Sequence, residues 1–110
     1  MEEFVKGNVV VINYPYSDLS SQKKRPALVV ATPKGQDLIL CQITSQVHQD
    51  NYSIKLENSD FKTGLLNQIS YIRPNKIISI DKNIVIYTIG NVKMEKLNEV
   101  IEKIIDIITN

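Results

Sequence analysis

Short, mostly apolar runs bounded by turn-forming residues fill most of this chain and predict strands, and only the C-terminal segment shifts to helical spacing. Asn8 to Tyr14 (NVVVINY) is β-branched and aromatic, lies between Gly7 and Pro15, and predicts a strand. Val9 and Val11 fall on one side and Val10 and Ile12 on the other, so both faces are apolar. Such a strand is covered on both sides, as in a small barrel or an oligomer interface. Pro15 to Lys24 is polar and Ser-rich, contains the turn-former Asp18, and predicts a long loop of the functional or mobile kind. Pro26 to Ala31 predicts the next strand, and Pro33-Lys34-Gly35 the turn after it.

Asp37 to Gln46 (DLILCQITSQ) predicts a longer third strand. Ile39, Cys41 and Ile43 share one face; Leu38, Leu40, Gln42, Thr44 and Gln46 share the other, which turns from apolar to polar. A strand leaving the core for solvent or a cleft has that pattern. Tyr52 to Leu56 and Leu65 to Ile72 predict two more strands, and Arg73-Pro74-Asn75 interrupts the pattern. Ile77 to Ile80 and Ile84 to Ile89 predict the last two, with Asp81-Lys82-Asn83 between them. After Gly90, Leu97, Ile101, Ile104, Ile105 and Ile108 fall at helical spacing, with Glu95, Lys96, Glu99, Glu102, Lys103 and Asp106 mainly elsewhere. A helix from about Lys93 to Thr109 would be roughly 25 Å long at 1.5 Å rise per residue. Asn91 is the nearest capping-type residue. The expectation is a mainly β fold: a small β-barrel with one C-terminal helix packed across its side. Residues 1–110 are expected to form a single domain, with no internal repeat, low-complexity tract or interdomain linker.

Composition narrows the setting more than the chemistry. The one cysteine, Cys41, rules out a disulfide framework within the chain and makes a reducing cytoplasm the simplest location. The acidic Met1-Glu2-Glu3 opening does not predict a secretory leader, and no apolar run approaches the roughly 20 residues that span a bilayer. A net charge of +1 argues against a large non-specific nucleic-acid footprint, yet Lys23, Lys24 and Arg25 form a local basic cluster. Metal sites look poor: Cys41 has no second cysteine and His48 no histidine partner. There is no Gly-rich phosphate loop and no nucleophile elbow. No metal or cofactor is expected.

The segment from Lys6 to Val30, KGNVVVINYPYSDLSSQKKRPALVV, resembles the opening of the MazF/PemK toxins. Those proteins begin with a Gly-led strand, pass through a polar loop, and reach an Arg-Pro that opens a second apolar strand; here these are Gly7, Pro15 to Lys24, and Arg25-Pro26. CQITSQ supplies Thr44 where the family has a Thr or Ser ending the third strand, and LLNQISYIRP supplies Gln68 for its Gln. The resemblance covers nearly the whole chain. It implies a homodimeric SH3-like barrel, the toxin of a type II toxin–antitoxin pair, that cuts single-stranded RNA at short sequences without a metal and is held in check by a cognate antitoxin. It carries the family's catalytic Arg to Arg25 and Thr to Thr44. Three positions depart from the family pattern: Gly7-Asn8 replaces Gly-Asp, Ser20 stands where some members are acidic, and Ser70 where a basic residue is common.

Residue chemistry is compatible with that role. The RNA 2′-OH can attack the adjacent phosphate itself, so an enzyme need only align the attack, stabilise charge on the phosphoryl oxygens and assist proton movement. A guanidinium is permanently cationic and offers a planar fork to two phosphate oxygens. By itself Arg25 reads first as a solvated arginine before a strand; the surrounding family block reverses that order. Thr44 can donate and accept a hydrogen bond but is too weak a base to act alone, which suits positioning and transition-state stabilisation. Alternation points its hydroxyl with Gln42 and Gln46 into the open and sends Ser45 to the opposite face. Lys23 and Lys24 would steer phosphates or only solubilise a loop tip. Tyr14 and Tyr16 would stack on unpaired bases or pack in the core. Gln46 and Gln68 would read base edges or bond backbone. His48, the only histidine, excludes a paired-histidine mechanism within one chain and reads as an exposed loop residue. The competing class is a non-catalytic binding module on the same barrel, one that traps a topoisomerase or only binds RNA or its antitoxin.

Overall fold

A computed structural model describes residues 3–15 and 22–110. Among them Asn8–Pro15 (β1), Gln22–Ala31 (β2), Asp37–Thr44 (β3), Ile54–Leu56 (β4), Phe61–Thr63 (β5), Ser70–Asp81 (β6) and Tyr87–Val92 (β7) are strands, and Met94–Thr109 (α1) is the α-helix. The strands pair antiparallel in one curled sheet of order β4-β6-β3-β2-β1-β7-β5, with three-residue strands at both edges. The architecture is the expected mainly β, SH3-like barrel with a C-terminal helix.

The faces read for β1 and β3 hold for Val9, Val10, Ile12, Leu38, Leu40, Cys41 and Ile43, whereas Val11, though buried, belongs to neither core cluster. Val9, Leu28, Val30, Cys41 and Ile43 enter one buried cluster, which Ile54, Leu56, Phe61, Ile72 and Val92 extend and Leu97 and Val100 of α1 cover. Val10, Ile12, Ala27, Val29, Leu38 and Leu40 form a second cluster on the other face, under Phe4, Ile78, Ile80 and Val85. Val9, Val10 and Ile12 are fully buried, so the doubly apolar first strand is satisfied within its own chain. It therefore carries no independent weight for an oligomer interface. Each of these side chains contributes about 1.5–3 kcal/mol of hydrophobic stabilisation when fully buried. Cys41 is buried in the first cluster, and burial pushes its thiol up to about 12, which keeps it protonated and unreactive at neutral pH.

Several boundaries differ from expectation. The predicted Pro15–Lys24 loop gives up its end to β2, because Lys23 and Lys24 pair with Tyr14 and Asn13; residues 16–21, with Asp18 and Ser20, lie outside the described residues. Leu65–Gln68 is not strand, and Ser70–Ile72 begins a twelve-residue strand that runs past the expected interruption. The interruption survives as a bulge: Gln42 opposes Arg73 while Cys41 opposes Ile77, leaving Pro74, Asn75 and Lys76 unopposed. A proline, which has no N–H to donate, is tolerated at such a place. The last strand shifts from Ile84–Ile89 to Tyr87–Val92, because Lys82–Ile84 forms a 3-10 turn capped by the Asp81 carboxylate. β5 was not legible in the sequence at all. α1 matches closely, but its N-cap is Lys93 rather than Asn91, without a side-chain capping bond.

Candidate functional site

At one end of the barrel the start of β2, the end of β3, the start of β6 and residues 66–68 enclose an open cavity of about 450 Å³. Lys23, Lys24 and Arg25 form its cationic wall. Both lysines are exposed and Arg25 is half-buried, held by Pro26 and the fully buried Ala27 that follow it in β2. Ser45 and Gln46 supply a second wall, and Asn67, Gln68 and Ser70 a third; Ile43, Leu66 and Pro26 give it apolar patches. Among the described residues no acidic side chain lines it. The described lining thus offers permanent positive charge, hydroxyls and amides, the donor set that suits a phosphodiester and unpaired bases.

Of the sequence-predicted residues, the cavity brings together Arg25, Lys23, Lys24, Gln46 and Gln68. Tyr14 lies in β1 opposite Lys23, one strand away from the cationic wall. Tyr16 lies outside the described residues.

Thr44 is placed differently from expectation. It is the last residue of β3 and only 4% exposed, and it does not line the cavity. Its Oγ1 accepts a hydrogen bond from the Gln46 N–H at 3.1 Å. The apolar part of β3 sorts to opposite faces as expected, but at its polar end Ile43, Ser45 and Gln46 all line the cavity while Thr44 is buried. Ser45 rather than Thr44 brings a hydroxyl to the lining from the end of β3, and Ser70 another from β6. Thr44 remains close in register: β2 and β3 pair Ala27 with Gln42, and the same register continued two residues toward the open end sets Arg25 against Thr44. On its other side Thr44 pairs with Tyr71.

Two features of the surroundings escaped the sequence reading. Ser70, 4% exposed, donates its hydroxyl to the Gln68 carbonyl at 3.2 Å and so pins the segment that carries Asn67 and Gln68. Arg73 donates from Nη2 to Asp50 Oδ2 at 3.3 Å, with the two side chains only 12% and 23% exposed. Asp50 also accepts from the Tyr52 N–H, the Ser53 N–H and the Ser53 hydroxyl. The two backbone donors, with smaller contributions from the Ser53 hydroxyl and Arg73, lower its carboxyl from 3.8 to about 2 against the opposing effect of desolvation. Because the folded value is depressed, the stability contributed by ionised Asp50 is complete above about 4 and is lost as pH falls toward about 2. Replacing Asp50 by Asn should flatten the fall in thermal midpoint across that window; a midpoint that drops as steeply in the variant as in the parent would show that another carboxylate governs it.

Among the described residues no group of three or more His, Cys, Asp or Glu comes together to hold a metal ion. No described helix is long and apolar enough to cross a membrane.

The family model of PemK-like, MazF-like toxins of type II toxin–antitoxin systems matches residues 5–108. The chain belongs to that family. Solved MazF-type structures share the fold of this PemK/MazF-like chain closely. An endoribonuclease from a mycobacterial species, in complex with its cognate antitoxin, superposes with a TM-score of 0.78 at 14% identity over 97% of this chain and 96% of that one. The Mycobacterium tuberculosis toxin MazF-mt6 gives 0.70 at 18% identity, covering 90% and 93%. MazF in a MazE–MazF structure from Deinococcus radiodurans gives 0.71 at 16% identity, covering 94% of each chain. No curated protein sequence matches the chain. At such identities the structural likeness is one of fold, and what this PemK/MazF-like barrel does rests on its own residues.

Proposed function

We propose that the chain is an endoribonuclease that cuts single-stranded RNA at short sequences without a metal, as the toxin of a type II toxin–antitoxin pair. The supporting observation is the cavity that gathers Lys23, Lys24 and Arg25 with Ser45, Gln46 and Gln68 and, among the described residues, has no carboxylate in its lining. Arg25 takes the phosphoryl oxygens of the scissile phosphodiester in its guanidinium fork. Thr44, aligned with Arg25 by register and bonded to the Gln46 N–H, contributes a hydroxyl and the placement of the adjoining wall. Lys23 and Lys24 hold flanking phosphates, and Gln46 and Gln68 meet the bases, the role we also propose for Tyr14 and Tyr16.

In this reaction the ribose 2′-oxygen attacks phosphorus, the bond to the 5′-oxygen breaks, and a 2′,3′-cyclic phosphate forms. The departing 5′-oxygen takes up a proton and the 2′-hydroxyl gives one up. Arg25 stabilises the added charge on the non-bridging oxygens. The family and the antitoxin complexes among the structural neighbours support a cognate antitoxin as partner. An acidic or amphipathic segment over the Lys23–Arg25 edge would block RNA entry. We take the working form to be a homodimer in the cytoplasm.

The test uses a long single-stranded RNA in excess EDTA. Discrete fragments bearing cyclic phosphate ends are expected, and hydrogen in place of the 2′-OH at a mapped site should abolish cutting there. Intact RNA would leave a binding module as the function of the fold. Cleavage of the 2′-deoxy site would make water the nucleophile.

A further inference from the structure

The nine residues between β3 and β4, 45–53, carry one wall of the cavity in Ser45 and Gln46, yet they lie outside the sheet ladder. Among the described residues, the hydrogen bonds of this segment are mostly local: Gln46 to Thr44, and Tyr52 and Ser53 to Asp50. The exception is Arg73 to Asp50, which crosses from β6 and joins residues far apart in sequence. We infer that Asp50 and Arg73 form a latch that fastens the 45–53 segment to β6 and thereby sets where Ser45 and Gln46 stand in the cavity, making Arg73 a positioning residue for RNA. This rests on the nuclease reading above.

Three features carry the inference. Asp50 is bonded on both sides: it organises the turn at Tyr52 and Ser53, and its Oδ2 reaches Arg73, so the segment is shaped and tied by one carboxylate. Arg73 is itself fixed, because it opposes Gln42 in the ladder where the Pro74–Lys76 bulge begins and Pro74 behind it is fully buried. The tie therefore runs from a rigid strand to a segment with few other restraints. Finally, Arg73 Nε is buried without a hydrogen-bond partner among the described residues. An enclosed guanidinium that leaves one donor unmet depends on its remaining anionic contact, so the Asp50 bond is costly to lose. Neither residue lines the cavity. Their effect on substrate must pass through the segment they hold.

Amide hydrogen exchange, read with steady-state kinetics, tests the latch in Asp50→Asn, Arg73→Met and the conservative Arg73→Lys. In the first two, exchange of the Gln46 amide, which is bonded to Thr44 Oγ1, should quicken at least about tenfold while β1, β2 and the rest of β3 stay protected. KM for single-stranded RNA should rise by about fivefold or more with kcat within about twofold, and Arg73→Lys should recover part of both effects. Unchanged exchange at the Gln46 amide overturns the latch. So does faster exchange with unaltered KM, because the wall would then not be part of the substrate site. If the parent protein leaves RNA intact, the nuclease reading fails separately, and the exchange pattern alone decides whether the pair holds the segment.

Discussion

Arg25→Ala should lower the rate of RNA cleavage by about 10²- to 10³-fold, the loss usual when one donor to a developing oxyanion is removed. The fold should survive, because the half-buried Arg25 lies at the open end of β2, outside both core clusters, and the apolar run it precedes is untouched. Arg25→Lys keeps the charge but loses the planar fork, and should fall between the two. Initial rates on a mapped oligonucleotide, with far-ultraviolet circular dichroism as the control for folding, make the measurement. A variant with parental activity would remove the cationic centre from the proposal. Thr44→Val and Ser45→Ala, measured alongside, decide which hydroxyl serves it. Thr44 bonds the Gln46 N–H from a buried position, whereas Ser45 lines the cavity. Loss of rate in the first alone supports the Thr44 role; loss in the second alone transfers it to Ser45.

The largest structural effect is expected at Gly90→Ala, outside the cavity lining. Gly90 pairs with Val9 of β1 on one side, and on the other its backbone crosses β5 so closely that an added Cβ would collide with the Thr63 carbonyl oxygen and lie 2.8 Å from Gly64 Cα. Gly64 in turn has φ +82, and its own Cβ position is blocked by the Ile89 carbonyl oxygen. Both obstacles are backbone and cannot rotate away, so the β5 edge would have to separate and loosen Phe61 from the core. A loss of about 3 kcal/mol follows from overpacking of this kind. For a chain of this size that should lower the thermal midpoint by roughly 10–20 °C. A shift of less than about 2 °C would mean that the β5–β7 crossing is slack.

β3 shows where local pattern informs and where it stops. Its alternation sorted Leu38 and Leu40 from Cys41 and Ile43 onto opposite clusters, because successive side chains on an extended backbone must point opposite ways. The same alternation set Thr44 with Gln46 in the open, which holds for Gln46, a cavity-lining residue, but not for the buried Thr44. A cleft is bounded by several strands, and here β6 and residues 66–68 close over the Ile43–Ser45 side. β6 shows the same limit. Arg73-Pro74-Asn75 reads locally as a break, but Ile72 and Ile77 both find places opposite β3, so the pairing absorbs three residues as a bulge instead of ending the strand. β5 is three residues long and has one buried side chain, Phe61, too little for any period to register.

For this protein, the amino-acid order by itself determined the mainly β barrel, the amphipathic α1 and the family, through the two-residue and helical periods and the KKRP and CQITSQ blocks. Those are properties of neighbours along the chain, set by backbone geometry and burial. Tertiary structure decided that Ser45 rather than Thr44 lines the cavity, that Ser70 braces Gln68, and that Asp50 meets Arg73. Such relations join residues on different strands, and they depend on bulges and strand ends whose positions emerge only when the whole sheet has chosen its register.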